Sequence, residues 1–243
     1  MPEPLLEVRA LDAYYEDFQA LFGVSLEVAA GEVIAVIGAN GAGKSTLFGI
    51  ASGSVTPDSG RVFLAGRDIT AFAPERRCRL GIARAFQIPQ PFHGMSVFEN
   101  VVVAAAFGSN RRERDVYAGC VELLEHCALA DKANRIAGSL TLLDRKRLEL
   151  ARALATIPRV LLLYEVAGGL TEHECAALVE LIRHTRARGI SIIWIEHVVH
   201  ALVALVDRLA VLHAGSFIAG GDPAMVVRLP EVREIYMGIP ADA

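Results

Sequence analysis

The most constraining stretch of the chain is Gly38-Ala39-Asn40-Gly41-Ala42-Gly43-Lys44-Ser45. Its spacing is Gly-x-x-x-x-Gly-Lys-Ser, and it follows Val33-Ile34-Ala35-Val36-Ile37, a continuous and largely β-branched run. Such a run reads as a strand buried on both faces, as in a parallel sheet covered by helices. The glycines let backbone N–H groups converge on phosphate oxygens. A helix expected from about Lys44 to Ala51 adds its positive end to the same anion. In this pattern Lys44 reaches the outer phosphates, Ser45 ligates Mg²⁺ and Thr46 supports the site. Strand, glycine loop and helix in this order predict a chain that binds nucleotide phosphates.

The basic residues sharpen that expectation. Lysine and arginine total 24, yet Lys44 is the only lysine before Lys132. A compact point charge is retained where the loop needs one. The formal net charge of -4 offers no electrostatic footprint for nucleic acid. No stretch reaches about 18 uninterrupted apolar residues, so no spanning helix is expected. Met1-Pro2-Glu3-Pro4 lacks a basic-then-apolar leader, which predicts a cytosolic chain. Hydrophobic residues nevertheless make up 53%, which suggests surfaces covered by partners. Cys78, Cys120, Cys127 and Cys175 are scattered without a Cys-x-x-Cys pair and read as reduced packing residues.

Other elements follow from periodicity. Leu5 to Leu11 begins with a partial strand alternation, and Gly23 to Val28 alternates more cleanly. Val62-Phe63-Leu64 and Gly66 to Ile69 suggest a hairpin. Ser96 to Thr156 reads mostly as helix, and Asp144 to Ala155 has helical spacing before Pro158. Val160 to Leu163 and Ser191 to Ile195 are two further buried strands, with apolar runs near Leu209–Val211 and Phe217–Ile218. Thr171-Glu172-His173-Glu174 forms a capping-box pattern before a helix ending near Gly189. Strands alternating with helices predict an α/β fold with a mostly parallel sheet.

Several polar residues fall at strand ends. Glu165 closes the second buried strand, on the side where open α/β sheets bind ligands. It reads as a general base for an attacking water or as an ordinary strand-end acid. His197, after Ile195-Glu196, reads as a hydrogen-bond partner for a γ-phosphate or as a common strand-end histidine. Gln87 is uninformative alone, and Tyr14 and Tyr15 read as strand packing or as a base-stacking platform.

The order of these signals resembles the ATP-binding subunit of an ABC transporter, and most of all the branched-chain (hydrophobic) amino acid uptake class. The similarity runs through Leu21 to Val28, the glycine loop, Ile82 to Gln90, Arg147 to Leu154, Ile195-Glu196-His197 and Glu231 to Gly238. It implies a single ATP-binding domain over 1–243. A P-loop nucleotide-binding core at about 5–87 and 158–243 would combine a mostly parallel sheet with an antiparallel β-subdomain, and a helical subdomain would lie at about 88–157. The implied ligands are ATP and Mg²⁺. Tyr15 would stack on adenine, with Tyr14 as the alternative. Gly38, Ala39, Asn40, Gly41, Ala42, Gly43, Lys44, Ser45 and Thr46 would hold the phosphates and Mg²⁺. Gln87 would sense the metal and γ-phosphate, Glu165 would be the base, and His197 would place the γ-phosphate and water. The implied partners are transmembrane permease subunits, a second ATP-binding subunit and, indirectly, a solute-binding protein, at the cytoplasmic face of the membrane. The solute stays open among leucine-like amino acids, amides, urea and small carboxylates.

Three departures bear on activity. The signature region reads Leu140-Thr141-Leu142-Leu143-Asp144, where the family has Leu-Ser-Gly-Gly-Gln. Thr141 keeps a hydroxyl for the γ-phosphate, while Leu142 and Leu143 replace glycines. The strand end reads Tyr164-Glu165 rather than Asp-Glu, so the carboxylate that holds the Mg²⁺ water shell is missing. Gly168-Gly169-Leu170-Thr171 lacks the acidic residue common in the loop between subunits, and Thr171 also reads as a helix N-cap. Two alternatives follow: a subunit that binds ATP but hydrolyses weakly beside an active partner, and a soluble ABC-type ATPase not tied to transport.

Overall fold

The computed structural model describes residues 3–196 and 204–237. The first elements are β1 (Leu6–Tyr15), β2 (Phe18–Val28), β3 (Val33–Ile37), α1 (Lys44–Ser52), β4 (Ser59–Leu64) and β5 (Arg67–Asp68). Next come α2 (Pro74–Arg79), β6 (Ile82–Ala85), α3 (Val97–Ser109), α4 (Tyr117–His126), α5 (Leu142–Ala155), β7 (Val160–Tyr164) and α6 (Glu172–Arg186). The last are β8 (Ser191–Ile195), β9 (Arg208–His213), β10 (Ser216–Gly221), α7 (Pro223–Val226) and α8 (Pro230–Met237). They form two compact units, 1–73 with 191–243, and 74–190.

In the first unit every residue of β3 and of β8 is buried, as the continuous apolar runs predict. Both strands are parallel to each other, with Val33 opposite Ile192 and Val36 opposite Ile195. β9 is parallel to the other side of β3, and β10 returns antiparallel along β9. Polar side chains fix the entry to β3. Ser191 Oγ accepts the Gly31 N–H at 2.8 Å and donates to the Ala29 carbonyl at 3.0 Å. Asp207 accepts the Val33 N–H at 2.9 Å. The start of β3 is thus set in register, and its far end delivers the glycine loop.

The same unit holds an antiparallel sheet in the order β2-β1-β4-β5. The expected hairpin at 62–69 is its β4–β5 edge. β1 and β2 run further than their alternation suggests. Register shifts between Val8 and Leu11, between Leu11 and Ala13, and at Tyr14 interrupt the two-residue period. At the end of β5, Asp68 accepts the Thr70 N–H at 2.9 Å, the Thr70 hydroxyl at 2.7 Å and the Arg61 guanidinium at 2.8 Å. These bonds, led by the Thr70 hydroxyl, hold its carboxyl at about 2, below its ordinary 3.8. A depressed carboxyl adds stability that is present above its ordinary value and lost as pH falls through the folded value. The stabilisation from Asp68 should therefore fade between about pH 4 and pH 2. An NMR titration of its side chain should show a midpoint near 2, and a midpoint near 3.8 would contradict the bonding described.

In the second unit β6 is parallel to β7, with Ile82 opposite Val160 and Ala85 opposite Leu163. The helical stretch expected at about 88–157 lies inside this unit, which also carries α2, the β6–β7 pair and α6. Ser96 caps α3 in a full capping box with Glu99, and Thr171 caps α6 in the box with Glu174 that the sequence predicts. Each such cap contributes about 1 kcal/mol.

Candidate nucleotide-binding and catalytic site

The glycine loop leaves β3 and enters α1 in the order that the sequence predicts. Gly43 is the N-cap of α1, at φ 98, and makes no side-chain cap bond. The first turn of α1 carries no acidic residue. Its amino end therefore presents backbone donors and a positive dipole to an outside anion. Glycine is required at two positions by close approach. A Cβ on Gly43 would lie 2.6 Å from the Ala20 carbonyl and 2.7 Å from Leu21. A Cβ on Gly38 would collide with the Leu212 carbonyl. The Ala42 N–H donates to the Ala39 carbonyl at 3.2 Å, and the Ala42 carbonyl accepts the Gly215 N–H at 3.1 Å. The loop is thus closed on itself and tied to Gly215 of its own unit.

Lys44 is 4% exposed. Its Nζ donates to the carbonyls of Gly38 at 2.6 Å and Ala39 at 2.9 Å. The ammonium therefore lies over the loop. Ala39, Asn40, Gly41 and Ser45 are exposed, whereas Thr46 is buried. Thr46 Oγ1 donates to the Tyr15 hydroxyl at 3.4 Å, so the structure brings Tyr15 to the first turn of α1. Tyr15 remains 51% exposed, which suits a face on which a flat base could stack. Tyr14 is exposed too, and its N–H is tied to Asp58 at 2.7 Å.

In the second unit Gln87 and Glu165 meet. Gln87 Nε2 donates to Glu165 Oε2 at 2.6 Å. Glu165 is mostly buried and has φ 46, the left-handed region that a non-glycine residue enters at a cost. Strained backbone of this kind gathers at functional positions. Tyr164, the last residue of β7, immediately precedes it. Thr141 is the N-cap of α5, and its Oγ1 accepts the Asp144 N–H at 3.3 Å. Leu142, beside it, is exposed. His197 lies outside the described residues. Its neighbour Glu196 is buried at the end of β8.

Sequence reasoning missed three side chains on α5. Glu149 accepts the N–H groups of Phe86 and Gln90, each at 3.4 Å. Lys146 Nζ donates to the Gln87 carbonyl at 2.5 Å, and Arg152 donates to the Gln90 carbonyl at 2.6 Å. Arg152 also lies over the Phe92 ring, 5.1 Å from its centroid, and pairs with Glu149 at 3.2 Å. Burial pushes the Glu149 carboxyl up from its ordinary range, against the pull of Arg152, the two N–H donors and Lys146. The available signal was three charged residues at three-residue spacing on a helix whose other residues include buried Leu148, Leu150 and Ala151.

A buried strand, a glycine loop with lysine, and a helix whose amino end is open to an anion define a P-loop nucleotide-binding protein of the α/β class. Within that class the chain belongs to the ABC transporter family, whose profile matches residues 21–167. It is similar to the lipopolysaccharide export system ATP-binding protein LptB of Acidithiobacillus ferridurans, at 36% identity over 96% of this chain and 97% of LptB. It is similar also to the high-affinity branched-chain amino acid transport ATP-binding protein BraF of Pseudomonas aeruginosa, at 33% identity over 98% and 99%. A crystal structure of the ADP conformation of an ATP-binding cassette of an ABC transporter superposes with a TM-score of 0.90. That cassette shares 31% identity, over 98% of this chain and 100% of its own. The chain is thus an ATP-binding subunit of the ABC transporter type, a family that couples ATP hydrolysis to transport. Among the described residues no helix is long and apolar enough to cross a membrane.

Proposed function

We propose that this chain binds and hydrolyses ATP with Mg²⁺ to power import of branched-chain or related amino acids. The observation that carries this reading is similarity over nearly the whole length of both chains to BraF and, at 32% identity, to the high-affinity branched-chain amino acid transport ATP-binding protein LivG of Escherichia coli. The chain would sit at the cytoplasmic face of the membrane on permease subunits, paired with a second ATP-binding subunit and served indirectly by a solute-binding protein.

The residues fit the nucleotide. The amino end of α1 lacks a side-chain cap and an acidic first turn, which is what a phosphate group would complete. Gly38 to Thr46 would hold the phosphates, and Tyr15 would stack on the adenine. By the family resemblance Ser45 and Gln87 would supply hard oxygen ligands of the kind Mg²⁺ takes. Mg²⁺ held there would supply positive charge against the negative charge that develops in phosphoryl transfer. Glu165 would take the proton of the attacking water, and His197 would hold the γ-phosphate. Thr141 would reach the γ-phosphate bound by the second subunit. Its hydroxyl caps α5, so this contact requires the cap to be shared.

Tyr164 supports a second reading, in which nucleotide binding is intact and turnover is slow. Deleting the gene in its host and measuring uptake of labelled leucine, isoleucine and valine tests the solute. Uptake should fall to background and return with the wild-type gene. Unchanged uptake alongside a defect in lipopolysaccharide export would replace the amino acid reading with the LptB-like one.

A further inference from the structure

The Gln87 side chain would do its work from a loop, and loops are costly places to hold an atom to a fraction of an ångström. The 86–90 loop follows β6 and has no ladder of its own. Its backbone is held instead by α5. Glu149 takes two of its N–H groups, Lys146 donates to the carbonyl of Gln87 itself, and Arg152 donates to that of Gln90. The Lys146 and Arg152 bonds, at 2.5 and 2.6 Å, are short and charge-assisted, the kind roughly twice as strong as a neutral pair, while the two to Glu149, at 3.4 Å each, are longer. Glu149 and Lys146 are 5% and 4% exposed, so water competes little for them. At its amino end the same helix carries Thr141. There Asp144 is pinned by Lys132 at 2.9 Å and Arg147 at 3.4 Å. One rigid helix of 14 residues therefore holds Thr141 at its start and the backbone of Gln87 along its side.

We infer that Glu149, Lys146 and Arg152 are positioning residues that set the Gln87 amide for hydrolysis, so that a load on the Thr141 end of α5 is passed to Gln87. This rests on the reading of Gln87 as the residue that senses metal and γ-phosphate. None of the three would touch the nucleotide. Their effect runs through the 86–90 backbone, and hence through whether Gln87 keeps its bond to Glu165 or gives it up to a ligand.

The test is a double-mutant cycle on the full chain. ATPase rates and ATP affinity are measured for Gln87→Ala, Glu149→Gln and the pair, in the wild-type and Tyr164→Asp backgrounds. Lys146→Met, singly and with Gln87→Ala, repeats the cycle with a different chemical change, in case Glu149→Gln does not fold. Glu149→Gln and Lys146→Met should each lower kcat about tenfold with ATP affinity within about twofold, as expected for an effect on the transition state alone. Each double variant should be no slower than Gln87→Ala, because removing the amide removes what is being positioned. The Phe86 and Gln90 amides should exchange faster with solvent in Glu149→Gln. If Gln87→Ala slows turnover but the Glu149 and Lys146 variants do not, or if their effects add to it in full, the positioning role is overturned while the reading of Gln87 stands. If Gln87→Ala itself hydrolyses at the wild-type rate, the reading of Gln87 fails and the inference with it.

Discussion

Replacing Lys44 by alanine should remove most ATP binding and reduce hydrolysis to background. Two effects add. The ammonium would lose its contact with the outer phosphates, and a hydrogen bond to a charged group contributes about 1.5–3 kcal/mol, or roughly 10- to 150-fold in affinity. The loop would also lose the strut that shapes it, since Lys44 Nζ donates to the Gly38 and Ala39 carbonyls at 2.6 and 2.9 Å. Lys44→Arg should rescue little, because the side chain is 4% exposed and a planar guanidinium is bulkier than an ammonium. Equilibrium titration with a fluorescent ATP analogue reads the affinity. The thermal midpoint without nucleotide shows that the fold has survived. Affinity within twofold of wild type in Lys44→Ala would remove the glycine loop from the phosphate site.

The same loop shows what sequence reasoning can reach. Val33 to Ile37 and Ser191 to Ile195 were legible because a strand buried on both faces has to be apolar without interruption. The glycines were legible because Gly38 and Gly43 meet backbone carbonyls where any Cβ would intrude. Thr171 was legible because a cap is a local bond, made within three residues. β6 was hidden because Arg84 breaks its apolar run; its guanidinium stacks 4.7 Å from the Phe86 ring centroid. The end of β1 was hidden by its bulges, so Tyr15 could not be placed against Thr46 from alternation alone. The Gln87–Glu165 pair joins residues 78 positions apart, and the α5 contacts to the 86–90 loop span about 60. Composition and period carry no trace of such pairs. Glu165 was put forward by its place at a strand end, Gln87 only by family resemblance, and Glu149 only by a three-residue spacing of charges that does not say what they hold.

Converting Tyr164 to aspartate should raise ATP hydrolysis about 10- to 100-fold, the usual scale for an outer carboxylate that orients a metal site. Tyr164 ends β7, one residue before Glu165. A tyrosine there brings no negative charge at neutral pH, so the Mg²⁺ water shell would lack its anionic anchor. The concentration of Mg²⁺ for half-maximal rate should fall with the rate increase, while ATP affinity without metal should hardly change. Arg84 opposes this gain. It lies on β6, the strand paired with β7, and burial weakens its hold on its proton. A new carboxylate beside that cation would share its charge, which favours the lower half of the range. Tyr164→Asn separates charge from shape: it has nearly the size of aspartate without its charge and should leave hydrolysis at the wild-type level. If both variants speed hydrolysis equally, the phenol obstructs the site by its bulk and the missing charge is irrelevant. If neither does, Tyr164 does not limit turnover, and Leu142 and Leu143, where the family resemblance implies glycines, become the place to look.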